Sequence, residues 1–244
     1  MRTAGIDIGS RSIELVVVDD GRITTSKVSE SGIDPLRRAM TLLEGVEYDR
    51  LVATGYSRNL IKTSHHAITI TEIKAYAIGT HFLFPGARTV LDIGGQDFKI
   101  IALDERGKVI KFEMNDRCAA GTGRFLEVMG HALGFSIDEF GNAALSTEEE
   151  CTINSMCTVF AESEVISLTA RGADSRAIAR GLHRSVVRRI ISMIHRVSVQ
   201  EPFIFAGGVA QNPCIRVLLE QELRIPVLVP DQPYMVGALG AALC

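Results

Sequence analysis

Apolar residues recur along the chain with two different spacings, and these spacings predict an alternation of strands and helices. Short apolar runs bounded by glycine and polar turns predict strands, and apolar residues three and four positions apart predict helices. In the first third of the chain, the predicted strands are 3–9, 13–19, 22–28, 50–54 and 67–70, and the predicted helices are 35–43, 57–62 and 71–84. We therefore expect a mixed α/β unit there.

The opening pattern occurs a second time. Residues 5–23 read GIDIGSRSIELVVVDDGRI, and residues 90–110 read VLDIGGQDFKIIALDERGKVI. Each segment has an apolar strand, Asp-Ile-Gly, a polar turn and further strands, so this internal repeat predicts two similar α/β subdomains that face each other. In the second half, the predicted strands are 88–93, 98–103, 109–113 and 203–205, and the predicted helices are 123–133, 158–171, 175–199 and 234–243.

The chain shows no low-complexity linker between these halves, which predicts a closely joined, hinged pair. We expect residues 1–84 to form the first subdomain and residues 85–233 the second. The small-residue-rich segment 234–244 is expected to pack back onto the first subdomain as a helix.

Composition limits the possible partners. The 26 Lys and Arg against 29 Asp and Glu give a net charge of −3, which predicts no general affinity for nucleic acid or anionic membranes. No apolar stretch reaches the roughly 18 residues that span a bilayer, and the N-terminus enters a strand pattern at once, without a signal-peptide pattern. We therefore expect a cytoplasmic protein with neither a nucleic-acid nor a membrane partner.

Two glycine-rich turns each follow a strand and a carboxylate. Such turns expose backbone N–H groups that bind phosphate, and Ser10, Arg11 and Ser12 add side-chain donors. Asp7 and Asp92 stand two residues before the turns, where a carboxylate can hold Mg²⁺ through water or orient an attacking water. Neither turn has P-loop or dinucleotide-binding spacing. The alternative is two ordinary hairpin turns, which their repetition in both halves disfavours.

Three segments, GIDIGS, LDIGGQD and FIFAGGVAQN, resemble the two phosphate segments and the adenosine segment of the actin, sugar kinase and heat-shock chaperone superfamily. The resemblance implies an α/β fold of two RNase-H-like (actin-like ATPase) subdomains, with ATP or ADP and Mg²⁺ in the cleft between them. It implies that Asp7, Asp92 and Gln96 act in catalysis. The implied nucleotide contacts are Gly9, Ser10, Arg11, Ser12, Ile13, Glu14, Gly94, Gly95, Gln96, Asp97, Gly207 and Gly208. Glu14 departs from the pattern, because many relatives have a basic residue there.

Two cysteines each come just before a helical pattern: Cys118 in NDRCAAGTGRFLE and Cys157 in NSMCTVFAESEVISL. Asn115 and Asp116 are available as caps for the first of these helices, and Asn154 and Ser155 for the second. A helix N-terminus favours anions, including a thiolate or an iron–sulfur cluster. A four-iron cluster generally needs four thiolates, and a two-fold dimer with both cysteines near its axis would supply them. The alternative is that both are buried small hydrophobes, as single cysteines usually are.

Both cysteine segments closely resemble those of the ATP-dependent activators of 2-hydroxyacyl-CoA dehydratases, in a family that includes the ATPase subunits of benzoyl-CoA reductase. The resemblance runs from GIDIGS through VATGYSR, TEIKA, LDIGGQD and AGGVAQN to VGALGAAL. It implies a homodimer in which Cys118 and Cys157 of both subunits hold one bridging [4Fe–4S] cluster. Such a protein passes one low-potential electron to an iron–sulfur dehydratase or reductase at the expense of ATP, with ferredoxin or flavodoxin as the donor.

Several residues remain open. The other cysteines match neither segment and are predicted to be structural: Cys151, Cys214 and Cys244. Cys151 is also an alternative cluster ligand, because it lies close to Cys157 in sequence. Glu72, in the TEIKA segment, can reach the cleft, whereas Glu162 and Glu164 are either solvated or link the cluster to the nucleotide.

Two other functions fit the same fold. A small-molecule kinase would transfer phosphate to a hydroxyl or carboxylate group, and an ATP-binding regulatory module would turn ATP over slowly or not at all. Neither has a use for the two cysteines, so iron content separates both from the activator.

Overall fold

Strands and helices alternate along the chain as the sequence predicts. The computed structural model describes residues 1–154 and 157–244, with all of their side chains except those of residues 63–65. The strands are β1 (Thr3–Ile8), β2 (Ser12–Asp19), β3 (Arg22–Glu30), β4 (Arg50–Thr54), β5 (Ile68–Thr69), β6 (Thr89–Ile93), β7 (Phe98–Leu103), β8 (Val109–Asn115), β9 (Phe203–Ala206) and β10 (Val227–Leu228). The helices are α1 (Pro35–Leu43), α2 (Arg58–His65), α3 (Glu72–Leu83), α4 (Gly123–Ala132), α5 (Ile137–Leu145), α6 (Thr158–Ala170), α7 (Ser175–Ile194), α8 (Pro213–Leu223) and α9 (Val236–Ala242).

The strands form two five-stranded sheets with the same topology. Their orders are β3-β2-β1-β4-β5 and β10-β9-β6-β7-β8. In each sheet the first three strands in sequence are antiparallel neighbours, the fourth pairs in parallel with the first, and the fifth pairs in parallel with the fourth. The repeat predicted from the sequence is therefore structural, and it extends to the pairs β4 with β9 and β5 with β10. The predicted α/β fold is confirmed.

Two helices form a layer between the sheets. The C-terminal helix α9 packs on β1, β2 and β4 of the first sheet, while α3 packs on α9 and on β6, β7 and β8 of the second sheet. Glycines allow this close approach, because a Cβ at Gly79 or Gly240 would overlap backbone atoms of the facing helix. A Cβ at Gly5 of β1 would likewise overlap the backbone of α9. The boundaries predicted at 84/85 and 233/234 remain predictions.

Two helices and one short strand were not predicted, although the chain carries signals for both helices. The Ser136 hydroxyl and the Glu139 carboxylate form a reciprocal capping box at the start of α5. The Asn212 side chain accepts hydrogen bonds from the first turn of α8, and Pro213 occupies the first helical position. The helix α7 ends at Ile194, earlier than the predicted residue 199. Of the helices in the described ranges, none is both long and apolar enough to span a membrane.

Candidate functional site

A cavity of about 690 Å³ lies where the two glycine turns meet. Its volume is within the range of small-molecule and cofactor sites. Of the residues predicted to bind nucleotide or to act in catalysis, those that line it are Asp7, Gly9, Ser10, Arg11, Ser12, Glu14, Asp92, Gly94, Gly95, Gln96, Asp97 and Gly208. The side chain of Ile13 instead lies in the hydrophobic core of the first sheet. Gly207 lies beneath the cavity, against Asp92.

The two turns have matching geometry. In the first, the Gly9 N–H donates to the Ser12 carbonyl at 3.1 Å, and in the second the Gly94 N–H donates to the Asp97 carbonyl at 3.0 Å. The turns also touch each other, since a Cβ at Gly95 would lie 3.0 Å from the Ser10 hydroxyl oxygen. The repeat thus places two sets of backbone donors next to each other in the lining of one cavity, as binding of a polyphosphate would require.

A glycine packs against each of the two aspartates at the end of a parallel strand. Gly55 follows β4 with φ +93°, and a Cβ there would overlap the Asp7 carboxylate. Gly207 follows β9 with φ +84°, and a Cβ there would overlap the Asp92 carboxylate. Sequence reasoning found Gly207 and missed Gly55, although TGYSR, which begins at the last residue of β4, parallels AGGVA, which begins at the last residue of β9.

The two aspartates have different partners across their hairpins. Asp7 pairs in register with Glu14, whereas Asp92 pairs with Lys99. Burial raises the pKa of Asp7, and its interaction with Glu14 raises it further. Burial also raises the pKa of Glu14 to about 8. The first half of the site therefore holds two buried acids that resist ionisation unless a cation joins them.

Lys99 neutralises the second half of the site. This side chain is 2% exposed, and its Nζ lies 3.2 Å from Asp92 Oδ2, 2.8 Å from Asp97 Oδ1 and 2.6 Å from Glu72 Oε2. Burial works against the charge on Lys99, but Asp92, Glu72 and Asp97 outweigh it and hold its pKa above the usual value. Burial raises the pKa of Asp92 to about 6, and Lys99 limits that rise. Sequence reasoning missed Lys99 and found Glu72, which lines the cavity.

The acidic groups fit a magnesium–nucleotide complex better than a metal site made by protein alone. Within the described ranges, no three His, Cys, Asp or Glu side chains converge on a metal position. Mg²⁺ commonly uses only one or two carboxylates together with water and phosphate oxygens. The buried Asp92 Oδ1 has no hydrogen-bond partner among the described residues and packs against Gly207.

The segment FIFAGGVAQN, which resembles the adenosine segment of the superfamily, lines one end of the cavity. A Cβ at Gly208 would meet no protein atom within 4 Å, so this backbone is open to a ligand. The cavity is also lined there by Gln211 and Asn212, which sequence reasoning did not single out. Asn212 is held in place, because its Nδ2 lies 3.0 Å from His183 Nε2 and its Oδ1 accepts from the start of α8.

The Cys118 loop leads into α4, and the start of α4 is hydrogen-bonded to the second glycine turn. The first N–H groups of α4, on Gly123 and Arg124, donate to the Gly94 and Gly95 carbonyls, each at 2.9 Å. The caps predicted for α4 are wrong, because α4 begins after Thr122 and Asn115 lies at the end of β8. For α6 the N-cap residue is Cys157 and not Asn154, and Ser155 lies outside the described residues. A helix N-terminus leaves its first N–H groups without intrahelical partners, and here the backbone of the cleft accepts two of them.

Cys157 stands at the exposed start of α6, which packs against α4. The backbone N–H of Asn154 donates to both carboxylate oxygens of Glu164 at 3.1 Å, so Glu164, on α6, holds the backbone at Asn154. Cys118 is half-buried. Cys157 therefore lies at the start of α6 and Cys118 lies shortly before the start of α4, and these two helices pack against each other.

Comparison with known proteins decides the family. The sequence model of the BadF/BadG/BcrA/BcrD ATPase family matches residues 4–244. The chain belongs to the BadF/BadG/BcrA/BcrD ATPase family. The cleft and the helices α4 and α6, which follow the two cysteines, are therefore features of a member of this family.

Relatives of this family member resemble it along nearly their whole lengths. It is 39% identical to the 2-hydroxyisocaproyl-CoA dehydratase activator of Clostridioides difficile, covering 100% of this chain and 94% of that protein. It is 38% identical to the (R)-2-hydroxyglutaryl-CoA dehydratase activating ATPase of Acidaminococcus fermentans, covering 99% of this chain and 95% of that protein. The solved structure of the activator of the 2-hydroxyisocaproyl-CoA dehydratase from Clostridium difficile with bound ADPNP superposes with a TM-score of 0.92 at 40% identity, covering 100% of this chain and 93% of that one.

The remaining cysteines of this BadF/BadG/BcrA/BcrD ATPase family member lie away from the cavity lining. Cys214 is buried in α8, where burial raises the pKa of its thiol to about 12. The Cys151 backbone packs against α7, and burial raises the pKa of its thiol. The Cys244 carbonyl accepts from the Arg50 guanidinium. Glu162, on α6, is exposed.

Proposed function

We propose that this chain is an ATP-dependent activator that passes one electron at a time to an iron–sulfur enzyme such as a 2-hydroxyacyl-CoA dehydratase. The observation that most directly supports this proposal is the pair of hydrogen bonds from the start of α4 to the Gly94 and Gly95 carbonyls. They join the second phosphate-type turn to the loop of Cys118 through backbone atoms alone. The similarity to two dehydratase activators supports the choice of partner.

The donor set of one chain fits half of a [4Fe–4S] cluster. Cys118 and Cys157 would supply two thiolates, and a second copy related by a two-fold axis would supply two more. The surface beside Cys157 suits a contact between copies, since Val159, Phe160 and Ile166 of α6 are all exposed apolar side chains. When bound, the cluster would supply one one-electron redox centre, which both subunits would share.

The nucleotide site would act on the cysteine loops through α4. Phosphate bound by the N–H groups of the Gly94–Asp97 turn would shift the carbonyls that accept from α4, and α4 would carry this shift to α6. ATP must bind one dimer arrangement more tightly than the other, because a ligand with equal affinity for both shifts nothing. Asp7, Asp92 and Gln96 would orient Mg²⁺ and the attacking water.

The proposal places the protein in the cytoplasm as a homodimer, with ferredoxin or flavodoxin as the electron donor. The decisive measurement is iron and sulfide per chain after anaerobic purification, together with the dimer mass. We expect about two irons per chain, because one four-iron cluster would be shared by two chains. No iron, even after anaerobic reconstitution, would overturn the proposal and return the protein to a kinase or an ATP-binding module.

Cysteine substitutions sharpen this measurement. Cys118→Ser and Cys157→Ser should each abolish the iron content and leave the affinity for a non-hydrolysable ATP analogue unchanged. Cys244→Ser is the matched control, because this cysteine lies at the end of the chain beside Arg50 and not in a cysteine loop. An iron content equal to wild type in Cys118→Ser or Cys157→Ser would exclude that residue as a ligand.

A further inference from the structure

One amide side chain holds the backbone of the Cys118 loop. Asn115, at the end of β8, is 7% exposed. Its Nδ2 donates to the carbonyl of Cys118 at 2.8 Å and to that of Ala120 at 3.3 Å. The intervening carbonyl, of Ala119, accepts from the Thr122 hydroxyl at 2.7 Å. Three consecutive carbonyls of the loop are thus fixed by buried or half-buried side-chain donors.

A guanidinium group orients this amide. Arg189 Nη2, from α7, donates to Asn115 Oδ1 at 3.4 Å. The stem of Arg189 also supports the loop, since a Cβ at Gly121 would lie 3.5 Å from Arg189 Cδ. Gly121 itself has φ +89°, a left-handed conformation that lets the chain turn around these side chains. The strand β8, the helix α7 and the loop are therefore tied together at one point.

Only an amide satisfies all of these contacts. Asparagine carries a two-proton donor and an acceptor on one short side chain. An aspartate at residue 115 would keep the acceptor for Arg189, but it would turn carboxylate oxygens towards the carbonyls of Cys118 and Ala120. An alanine would leave both carbonyls and the guanidinium without their partner. The chemistry of the pair is therefore specific to holding the loop, and neither residue lines the nucleotide cavity.

We propose that Asn115 and Arg189 are positioning residues that fix the backbone of Cys118, and so its thiol, in the arrangement needed to bind a metal cluster. The part that concerns the cluster rests on the proposed function. The part that concerns the loop is independent of iron, so the two can fail separately. Nucleotide binding should not depend on either residue.

The first test uses the iron-free full-length protein. Iodoacetamide alkylation is followed by mass spectrometry at Cys118 and at Cys157 in the same sample, so that Cys157 is the internal reference. In Asn115→Ala we expect Cys118 to react between about three- and tenfold faster relative to Cys157, as losing a hydrogen bond implies. Arg189→Met should give a smaller increase. The exposed Asn142→Ala is the matched control and should leave the ratio unchanged.

The second test follows the metal. After anaerobic reconstitution, the Asn115→Asp dimer should release iron to a chelator faster than wild type and should show a shifted reduction potential, with unchanged affinity for the ATP analogue. An unchanged Cys118-to-Cys157 ratio in Asn115→Ala, in a protein with the wild-type circular dichroism spectrum, would overturn the inference. If wild type binds no iron while the alkylation ratio rises, the positioning of the loop stands and the proposed function fails.

Discussion

Substitution of Glu14 by Gln should make the protein more stable, by an amount that depends on pH. Glu14 is 4% exposed and faces Asp7 across the β1–β2 hairpin. Burial raises the pKa of Glu14 from 4.5 to about 8. Glutamine has the shape of the protonated acid and never ionises, so the substitution removes only the cost of the buried charge.

The sign and size follow from linkage. Below pH 4.5 this residue is protonated in both the folded and the unfolded protein, so the two variants should be about equally stable. As pH rises from 4.5 to 8, the unfolded chain ionises while the folded one resists, and wild type loses stability. Since one pKa unit corresponds to about 1.36 kcal/mol, the gap between 4.5 and about 8 sets an upper limit of about 5 kcal/mol, and we expect roughly 3 kcal/mol after neighbouring groups relax.

The assay is urea unfolding at several values between pH 5 and pH 9, followed by circular dichroism because the chain has no tryptophan. Nucleotide and divalent cations are removed, since a cation beside Glu14 would favour its ionised form. The exposed Glu44→Gln is the matched control. A free-energy difference between Glu14→Gln and wild type that is the same at pH 5 and pH 9 would refute the reasoning, whatever its size.

Three further predictions concern the same site. Asp7→Asn and Asp92→Asn should each lower ATP hydrolysis by about 10²-fold or more in protein with the iron content of wild type; unchanged turnover would exclude both from catalysis. Lys99→Met should destabilise the fold by about 3–5 kcal/mol at neutral pH, because it leaves buried carboxylates unpaired, and urea unfolding at lower pH should recover part of this loss as Asp92 becomes protonated. Gly55→Ala should weaken binding of an ATP analogue measured by calorimetry, because its Cβ would displace the Asp7 carboxylate, whereas Gly45→Ala, with φ +70° but open space around it, should not.

The sequence predicts the fold well because the chain repeats one unit. The strands of both hairpins alternate with glycine turns at matching positions, so each half supports the assignment of the other. The helices α5 and α8 were missed because their start signals, Ser136-x-x-Glu139 and Asn212-Pro213, carry little weight without the packing that follows them.

The site was only partly predictable from the sequence. Its glycine turns are formed by residues that are neighbours in the chain, whereas its charged and polar side chains are held by partners that are distant in the chain. Gly94 and Gly95 stand out in sequence, but Lys99 looks like a polar residue between two apolar ones, as on an exposed strand face. Its burial depends on Glu72, which α3 brings from 27 residues earlier in the chain. Asn115 was misread as a helix cap for the same reason, because its partner Arg189 lies on a distant helix.

The repeat also exposes one difference that divides the two halves chemically. Corresponding positions hold Glu14 opposite Asp7 and Lys99 opposite Asp92, on strands of identical topology. In the second half the cation is the side chain of Lys99, so Asp92 is stabilised as a carboxylate before any ligand binds. In the first half the two acids have no such partner across the hairpin, and burial raises the pKa of both. A divalent cation entering with a nucleotide would relieve this cost at Asp7 and Glu14, whereas Lys99 already relieves it at Asp92. The single exchange of acid for base between two copies of one unit therefore gives the cleft a polarity that its backbone symmetry lacks.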